Sequence, residues 1–369
     1  MKAALEAYSK TRDPSKGGQL CYAPSVNLNF EQNGNATACC YNRRFILGRY
    51  PKDSLQDIWN GDRVQELREL LRNNDLSKGC QLCEEQLLAG NFSGLRARSF
   101  DRVVDHPQAK TSNALMPRIM EFEISNTCNL ECVMCNGYFS SSIRRNREKL
   151  EPFKNVYDDA FVDQLRPFLP YLVQAKFLGG EPFLNPIYYK IWDAIAEVNP
   201  AIDVVVTTNA SIMNAKVKDF LNRLRPTISI SCDSLDKKTY ELIRKNGSFD
   251  RFRENLDIFL GAAALSGKTL AFGICPMTNN WKTIPDVYKF SNENKVCFGV
   301  NTVIWPPDLS IKSFSAKKMD EVIRFWESEC SPLDKVDERW WYRFNYDSFQ
   351  GMINQIKFWQ KEKETMTNG

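Results

Sequence analysis

The chain has 369 residues, of which 43% are hydrophobic and 25% charged, and its formal net charge at neutral pH is +4. This length can bury a full α/β domain with a smaller second unit, and so small a charge gives no indication of nucleic-acid binding. No stretch is apolar enough to span a membrane and the first residues lack the apolar core of a signal peptide, so we expect a cytoplasmic protein without a membrane partner.

The N-terminal hundred residues are rich in cysteine. Their pattern reads C-x12-G-x4-C, then a Leu-x-x-Ile-Trp segment, an amphipathic helix and a C-x2-C pair. The cysteines of this region are Cys21, Cys39, Cys40, Cys80 and Cys83. Thiolates at such spacings bind iron–sulfur clusters or zinc.

A second group of cysteines follows a polar, proline-interrupted stretch at 101–116, which predicts a linker and contains the only histidine, His106. A predicted strand then runs into Cys128-x3-Cys132-x2-Cys135. Three thiolates on one short loop can hold three corners of a 4Fe–4S cube and leave its fourth iron open. A structural zinc site would need a fourth ligand, and no histidine or further cysteine lies nearby in the sequence.

A glycine-rich turn comes one strand later, where Gly179-Gly180-Glu181-Pro182 separates an apolar strand from a helix pattern that begins near Pro186. Glycines at such a turn let the backbone approach a ligand closely. Glu181 offers an acceptor for an ammonium group. Taken alone, the tetrapeptide fits an ordinary turn as well as a ligand site.

From residue 117 onward, strand patterns alternate with helix patterns, which predicts a parallel α/β sheet. The predicted strands are 118–125, 174–179, 203–208, 227–232, 269–275 and 297–304. The predicted helices are 157–169, 186–198, 213–224, 249–264 and 282–294. Two more helices, at 315–330 and 347–362, flank an aromatic run at 339–346 that could pack in the core or line a pocket.

Polar residues recur on one face of two of these strands. Asn209 follows the third strand. The fourth strand alternates strictly, and its polar face carries Thr227, Ser229, Ser231 and Asp233. A polar strand face inside an α/β pattern favours a barrel interior open to a ligand, and plain polar strand ends are the alternative.

The C-x3-C-x2-C loop followed by Gly-Gly-Glu-Pro resembles the radical S-adenosylmethionine (SAM) superfamily. The resemblance implies a partial (β/α)6 barrel with its chemistry at the C-terminal strand ends. It also implies a 4Fe–4S cluster on Cys128, Cys132 and Cys135, whose open iron is chelated by SAM. Reductive cleavage of SAM would then give a 5′-deoxyadenosyl radical that takes hydrogen from a substrate carbon.

The same resemblance assigns the SAM pocket. The residues that it assigns are Met134, Gly179, Gly180, Glu181, Asn209 and Ser231. The glycines and the glutamate would hold the amino group, while the asparagine and the serine would reach the ribose and the carboxylate. Met134 stands where the family often has an aromatic residue, and its thioether can make the same apolar contact with adenine.

The N-terminal cysteine pattern resembles the SPASM/twitch modules of radical SAM enzymes, which bind auxiliary 4Fe–4S clusters and usually follow the barrel. Here the module would precede it and hold one auxiliary cluster. The implied ligands are Cys21, Cys39, Cys80 and Cys83. Cys40 competes with Cys39, and the G-x4-C spacing favours Cys39. A zinc ribbon on the same four thiolates is the alternative.

The expected organisation is a cluster module at 1–100, the linker, a barrel at 117–310 and a helical, aromatic-rich extension at 311–369. Family likeness implies modification of a ribosomally made peptide. Epimerisation or dehydrogenation of a sugar or other small metabolite is the alternative, and a non-catalytic iron–sulfur or zinc protein is a third. An electron donor such as flavodoxin or ferredoxin is implied. Cys330 and Cys275 are candidates to return a hydrogen atom to a substrate radical.

Overall fold

The computed structural model describes residues 1–16, 18–104, 116–330 and 339–368, the last three by their backbone alone. Most of the predicted linker, including His106, lies outside the described residues. No helix within these ranges is long and apolar enough to cross a membrane.

In the described part of the chain, nine strands form one sheet. They are β1 Asn27–Glu31, β2 Asn35–Thr37, β3 Gly48–Arg49, β4 Ile119–Glu123, β5 Gln174–Phe177, β6 Asp203–Thr208, β7 Thr227–Ser231, β8 Ala271–Ile274 and β9 Cys297–Val300. The order is β3-β2-β1-β4-β5-β6-β7-β8-β9, and β4 to β9 are parallel neighbours. These six strands with their helices confirm the partial (β/α)6 barrel.

Helices connect and cover the strands. The α-helices of the described residues are α1 Lys2–Ser9, α2 Ala23–Val26, α3 Leu55–Asn60, α4 Asp62–Arg72, α5 Gln81–Leu88, α6 Arg98–Val104, α7 Ser141–Asn146, α8 Asp159–Leu165, α9 Pro186–Val198, α10 Ala215–Leu224, α11 Lys237–Ile243, α12 Phe249–Ser266, α13 Ile284–Glu293, α14 Ala316–Glu329 and α15 Trp340–Asn368. The helical C-terminal extension is therefore confirmed.

Side-chain alternation sets the two faces of the barrel strands. In β6, β7 and β8, buried residues alternate with half-buried ones. The buried set includes Val204, Val206, Ile228, Ile230 and Phe272. These apolar side chains form the face that packs under the helices, since successive strand residues point to opposite sides. The polar residues between them face the barrel interior, as the alternation in the fourth strand predicts.

The N-terminal region adds strands to the same sheet, which the sequence-based assignment missed. β1 lies parallel to β4, with Phe30 opposite Phe122, and the two rings stack at a centroid distance of 5.9 Å. The apolar residues Leu28 and Phe30 alternate with polar ones, which is the usual signature of a strand. The N-terminal module and the barrel therefore share one core.

Two features of the helices differ from expectation. The helix α11 was not predicted. The aromatic run at 339–346 does not separate two helices, because α15 contains all of it except Arg339. Tyr342, Asn345 and Phe349 are buried at helical spacing. The Asn345 side chain accepts a hydrogen bond from Phe298 N at 2.6 Å, which fastens α15 to β9.

Candidate functional site

The three cysteines Cys128, Cys132 and Cys135 lie on the loop that leaves the C-terminal end of β4, and each is half-buried. Burial, with a smaller contribution from the two other thiols, raises the pKa of Cys135 to about 12. Burial also raises the pKa of Cys128 to about 11, and Cys132 adds to that shift. The three thiols are thus close enough to act on one another electrostatically, and bound iron would deprotonate them.

The backbone of this loop is fastened to the end of α11. Glu131 N donates to Lys245 O at 3.0 Å, and Val133 N donates to Ile243 O at 2.9 Å. On the other side, the Ser140 hydroxyl, which caps α7, donates to Leu130 O at 2.7 Å. A loop held on both sides can present its thiols in a fixed arrangement.

Two hydrogen-bond donors from other segments of the chain lie close to the thiols. Asn209 Nδ2 lies 3.9 Å from Cys128 Sγ, and Arg244 Nη1 lies 3.8 Å from Cys132 Sγ. Arg244 is paired with Asp233 at 2.6 Å, and both side chains are buried. Neighbouring cations and donors favour the thiolate form that binds iron, so this environment suits an anionic cluster.

The Gly-Gly-Glu turn after β5 packs directly on the backbone that leads to Cys128. Gly179 and Gly180 have φ of +77° and +54°. A Cβ on Gly180 would lie 2.2 Å from Thr127 O, and one on Gly179 would lie 2.9 Å from Ser125 O. The glycines are therefore needed for this close approach, whatever else they bind.

We expect Gly180→Ala to lower stability by roughly 2–5 kcal/mol, because the left-handed conformation and the contact with Thr127 O both oppose a Cβ. Gly267→Ala is the matched control, since Gly267 has φ +67° but no atom within 4 Å of an added Cβ. It should lose only about 1–2 kcal/mol. Thermal denaturation and iron content per chain measure both effects. Equal losses, with iron retained in both variants, would mean that the turn does not position the cysteine loop.

Glu181 connects this turn to the next strand end. Its buried carboxylate accepts hydrogen bonds from Thr208 Oγ1 at 2.8 Å, Asn209 N at 2.8 Å and Phe183 N at 3.3 Å. Burial raises the pKa of Glu181 to about 7. Since Asn209 contacts both Glu181 and Cys128, the structure brings together the cysteine loop, the glycine turn and the end of β6.

Of the remaining predicted site residues, some lie near the cysteine loop and one lies far from it. Ser231 ends β7 and lies opposite Gly273 of β8. Cys275 directly follows β8, and Met134 packs with it on one small apolar cluster. Cys330 is elsewhere, at the end of α14 beside α13 and the start of α15. The structure does not bring Cys330 to the cysteine loop.

The second candidate site is a cavity in the N-terminal module, which we call the second cavity. Four of its lining residues are Cys21, Cys39, Cys80 and Cys83. Most of the others are apolar, and they include leucines of α4. Cys40 is not among the described residues that line this cavity. Arg96 and Arg43 lie near Cys40, and their charges oppose the rise that burial causes in its pKa.

The family of the chain follows from comparison with known proteins. A family model described as the radical SAM superfamily matches residues 122–290, which contain both the cysteine loop and the Gly-Gly-Glu turn. Residues 122–290 form a radical SAM domain. A model of the SPASM iron–sulfur cluster-binding domain matches residues 21–84, which contain the four cysteines of the second cavity. The chain thus carries a SPASM-type module before its radical SAM barrel.

Individual relatives match only parts of this chain. An uncharacterized protein of Methanocaldococcus jannaschii is 27% identical over 49% of this chain and 59% of its own length. A probable GTP 3′,8-cyclase of Methanocella arvoryzae is 26% identical over 38% of this chain and 43% of its own. The alignment with the SAM-bound structure of Streptococcus suis SuiB covers 72% of this chain and 58% of the SuiB chain. The two are 18% identical there, with a TM-score of 0.43. The chain thus spans about half the length of its curated relatives.

The radical SAM match and the SPASM match imply 4Fe–4S clusters and SAM binding. Within the described residues, no three His, Cys, Asp or Glu side chains form a site for a single metal ion. Both sites offer thiols, which are the usual ligands of the implied 4Fe–4S clusters. The first offers three thiols with an amide and a guanidinium beside them, and the second offers four thiols in a mostly apolar cavity.

Sequence reasoning missed the buried Asp233–Arg244 pair beside the radical SAM cysteines. The sequence pattern did mark Asp233, because this residue ends the polar face of the fourth predicted strand. It did not mark Arg244, because this residue caps α11, which the pattern did not reveal. Only the folded chain places its guanidinium against Cys132.

Proposed function

We propose that this radical SAM enzyme binds a 4Fe–4S cluster through Cys128, Cys132 and Cys135, cleaves SAM reductively and removes hydrogen from a substrate carbon. The observation that carries the proposal is the meeting of three separate segments at Asn209. Its side chain lies beside Cys128 Sγ, while its backbone N–H donates to Glu181. A carrier of electrons alone would have no use for this turn.

The bound, reduced cluster would supply one electron to SAM, which would yield a 5′-deoxyadenosyl radical. The protein residues bind and position. Asn209 and Ser231 are proposed to contact the ribose and carboxylate of SAM, and Met134 its adenine. Gly179 and Gly180 bring the turn close, and Glu181 offers a carboxylate for the SAM ammonium group, held in place by its three donors.

The four cysteines of the second cavity are proposed to hold one auxiliary 4Fe–4S cluster. Asn42 Nδ2 lies 3.4 Å from Cys80 Sγ, and Ala23 N lies 3.4 Å from Cys21 Sγ. Such hydrogen bonds to sulfur tune a cluster's reduction potential. Cys39 is the proposed ligand rather than Cys40, because only Cys39 lines the cavity.

Replacing Cys80 with alanine should therefore lower the iron content from roughly eight atoms per chain to roughly four, because one of two four-iron clusters loses a ligand. Cys40→Ala is the matched control and should keep roughly eight. Both are measured on anaerobically reconstituted protein by iron and zinc analysis. Zinc in the wild-type protein, or loss of iron in Cys40→Ala but not in Cys39→Ala, would contradict this ligand set.

Cys275 is the proposed thiol for returning hydrogen to a substrate, because it shares an apolar cluster with Met134. Cys330 lies at the end of α14, away from the cysteine loop, and is not proposed for that role. An electron donor such as flavodoxin or ferredoxin is proposed to reduce the clusters. The exposed residues Arg145 and Lys149 beside the cysteine loop could contact its acidic surface.

The barrel interior supports a small-molecule substrate, since a cavity of about 470 Å³ lies there. The name of one relative, GTP 3′,8-cyclase, agrees with this substrate class. Modification of a peptide is the second candidate. It is favoured by a surface groove of about 780 Å³ that includes Trp340 and Phe344, and Phe344 also lines the barrel cavity.

The test of the proposed function is the formation of 5′-deoxyadenosine from SAM by the anaerobically reconstituted protein, followed by mass spectrometry. We expect product only when a reductant is present. Iron-loaded protein that binds SAM but gives no 5′-deoxyadenosine with any low-potential reductant would favour a non-catalytic iron–sulfur protein instead.

A further inference from the structure

Several cationic side chains line the cavity inside the barrel. Its wall includes Arg96, Arg98 and Arg102, and none of the described residues that line it is an aspartate or a glutamate. The small strand residues Ser229, Gly273 and Gly299 also line it, and they leave room for a ligand. Three guanidinium groups around one space repel one another unless a counter-charge enters.

Only one of the three arginines has an acidic partner within the described residues. Arg96 pairs with the buried Glu121, and its Nε atom is buried without a hydrogen-bond partner in that same part of the chain. Arg102 donates to the neutral Gln174 Oε1 at 2.7 Å. Arg98 has no ion pair with any described residue, and both Arg98 and Arg102 are exposed.

The Gln174 contact gives Arg102 a fixed orientation. Gln174 Nε2 donates in turn to Asp203 Oδ2 at 2.7 Å, and Asp203 forms an ion pair with Lys268 at 2.6 Å. Asp203, whose charge acts on Arg102, is therefore already paired with another cation. A guanidinium held in this way, with no second hydrogen-bond acceptor among the residues that the structure describes, suits the bidentate binding of a phosphate or carboxylate.

One end of the cavity lies next to a residue of the proposed SAM site. Gly273 lies opposite Ser231 in the β7–β8 register, and it stands two residues before Cys275. At another side, Tyr41 and Arg96 line both this cavity and the one with the four auxiliary cysteines. A ligand here would lie between the two proposed clusters, with its Gly273 end toward SAM.

We propose that this cavity is the substrate site and that it selects an anionic substrate, whose phosphate or carboxylate group binds Arg98 and Arg102 while the carbon to be attacked lies near Gly273. The inference rests on the proposed function for the role of the substrate. The arginines are specificity-determining residues and do not take part in SAM cleavage.

The test measures the binding of simple anions to the reconstituted protein by isothermal titration calorimetry. Phenyl phosphate is the phosphate probe, phthalate is the carboxylate probe and benzyl alcohol is the neutral one. We expect saturable binding of phenyl phosphate or phthalate, at one site per chain, and none of benzyl alcohol. The better of the two anions identifies the acidic group of the substrate.

Variants place the binding in the cavity. Arg98→Gln with Arg102→Gln should weaken anion binding at least about tenfold, because charge-assisted hydrogen bonds are lost. Gly273→Leu should weaken it as well, by filling the end near Ser231. Gly273 has no left-handed φ that would exclude a side chain, and an added Cβ would meet no atom closer than 3.5 Å. Arg72→Gln, on the exposed face of α4, is the control and should bind as the wild type does.

Binding that is absent for both anions, equal for the neutral probe, or unchanged in the double arginine variant would overturn the inference. Assaying 5′-deoxyadenosine in the same preparations separates the two proposals. SAM cleavage without anion binding would reject only the anionic substrate site. Anion binding without SAM cleavage would reject only the proposed reaction.

Discussion

Cys128→Ala is expected to abolish 5′-deoxyadenosine formation, lowering its rate at least about 10³-fold, because the residual reaction would lack the cofactor that supplies the electron. Cys128 is the thiol that Asn209 approaches, and its backbone N–H donates to Ser141 Oγ at 3.2 Å. A cube held by two remaining thiolates would be lost or misplaced. Iron per chain should fall from roughly eight atoms to roughly four.

The matched control is Cys297→Ala, at the start of β9, where the thiol has no proposed ligand role. It should keep both its iron and its SAM cleavage, as measured by mass spectrometry under reducing anaerobic conditions. If Cys128→Ala forms 5′-deoxyadenosine at the wild-type rate, the three cysteines of this loop do not hold the active cluster.

Arg244→Leu should lower the free energy of unfolding by about 3–5 kcal/mol, since it leaves Asp233 buried without its cation. Asp233 is fully buried, and Arg244 is only 7% exposed. Asp233 also accepts a hydrogen bond from Cys275 N at 2.9 Å, so its displacement would disturb the end of β8. Arg223→Leu, which breaks the exposed pair with Asp193, is the control and should change stability by less than about 1 kcal/mol.

Anaerobic thermal denaturation of the cluster-loaded proteins compares the two variants. Adding Asp233→Asn to Arg244→Leu should recover part of the loss, because the amide oxygen can still accept from Cys275 N without carrying a charge. An effect of Arg244→Leu as small as that of Arg223→Leu would contradict the account of this buried pair.

The sequence was informative wherever local pattern and chemistry coincide. Strict alternation in Thr227–Ser231 gave the position of β7 and its interior face, and the paired glycines after β5 marked a turn that only glycine permits. The six predicted barrel strands all occur in the structure, with ends that differ by a few residues. Strand positions and tight turns can be predicted because they depend on the backbone preferences and the hydrophobic periodicity of neighbouring residues.

What the sequence could not reveal depends on contacts between distant segments. The pairing of β1 with β4 and the approach of Arg244 to Cys132 both join residues about a hundred positions apart. No local pattern groups Arg96, Arg98 and Arg102 with Gly273 and Gly299, and only the fold places these residues around one cavity. Polar and charged groups gain these roles only from tertiary packing.

The most direct test of the central claim is the electron paramagnetic resonance spectrum of the reduced, reconstituted protein before and after addition of SAM. SAM that chelates an open iron should change the signal of the cluster on Cys128, Cys132 and Cys135. A fully thiolate-ligated auxiliary cluster should not respond. The account therefore predicts that one of two cluster signals shifts with SAM and that this signal is missing from Cys128→Ala. Two signals that stay unchanged at saturating SAM would contradict it.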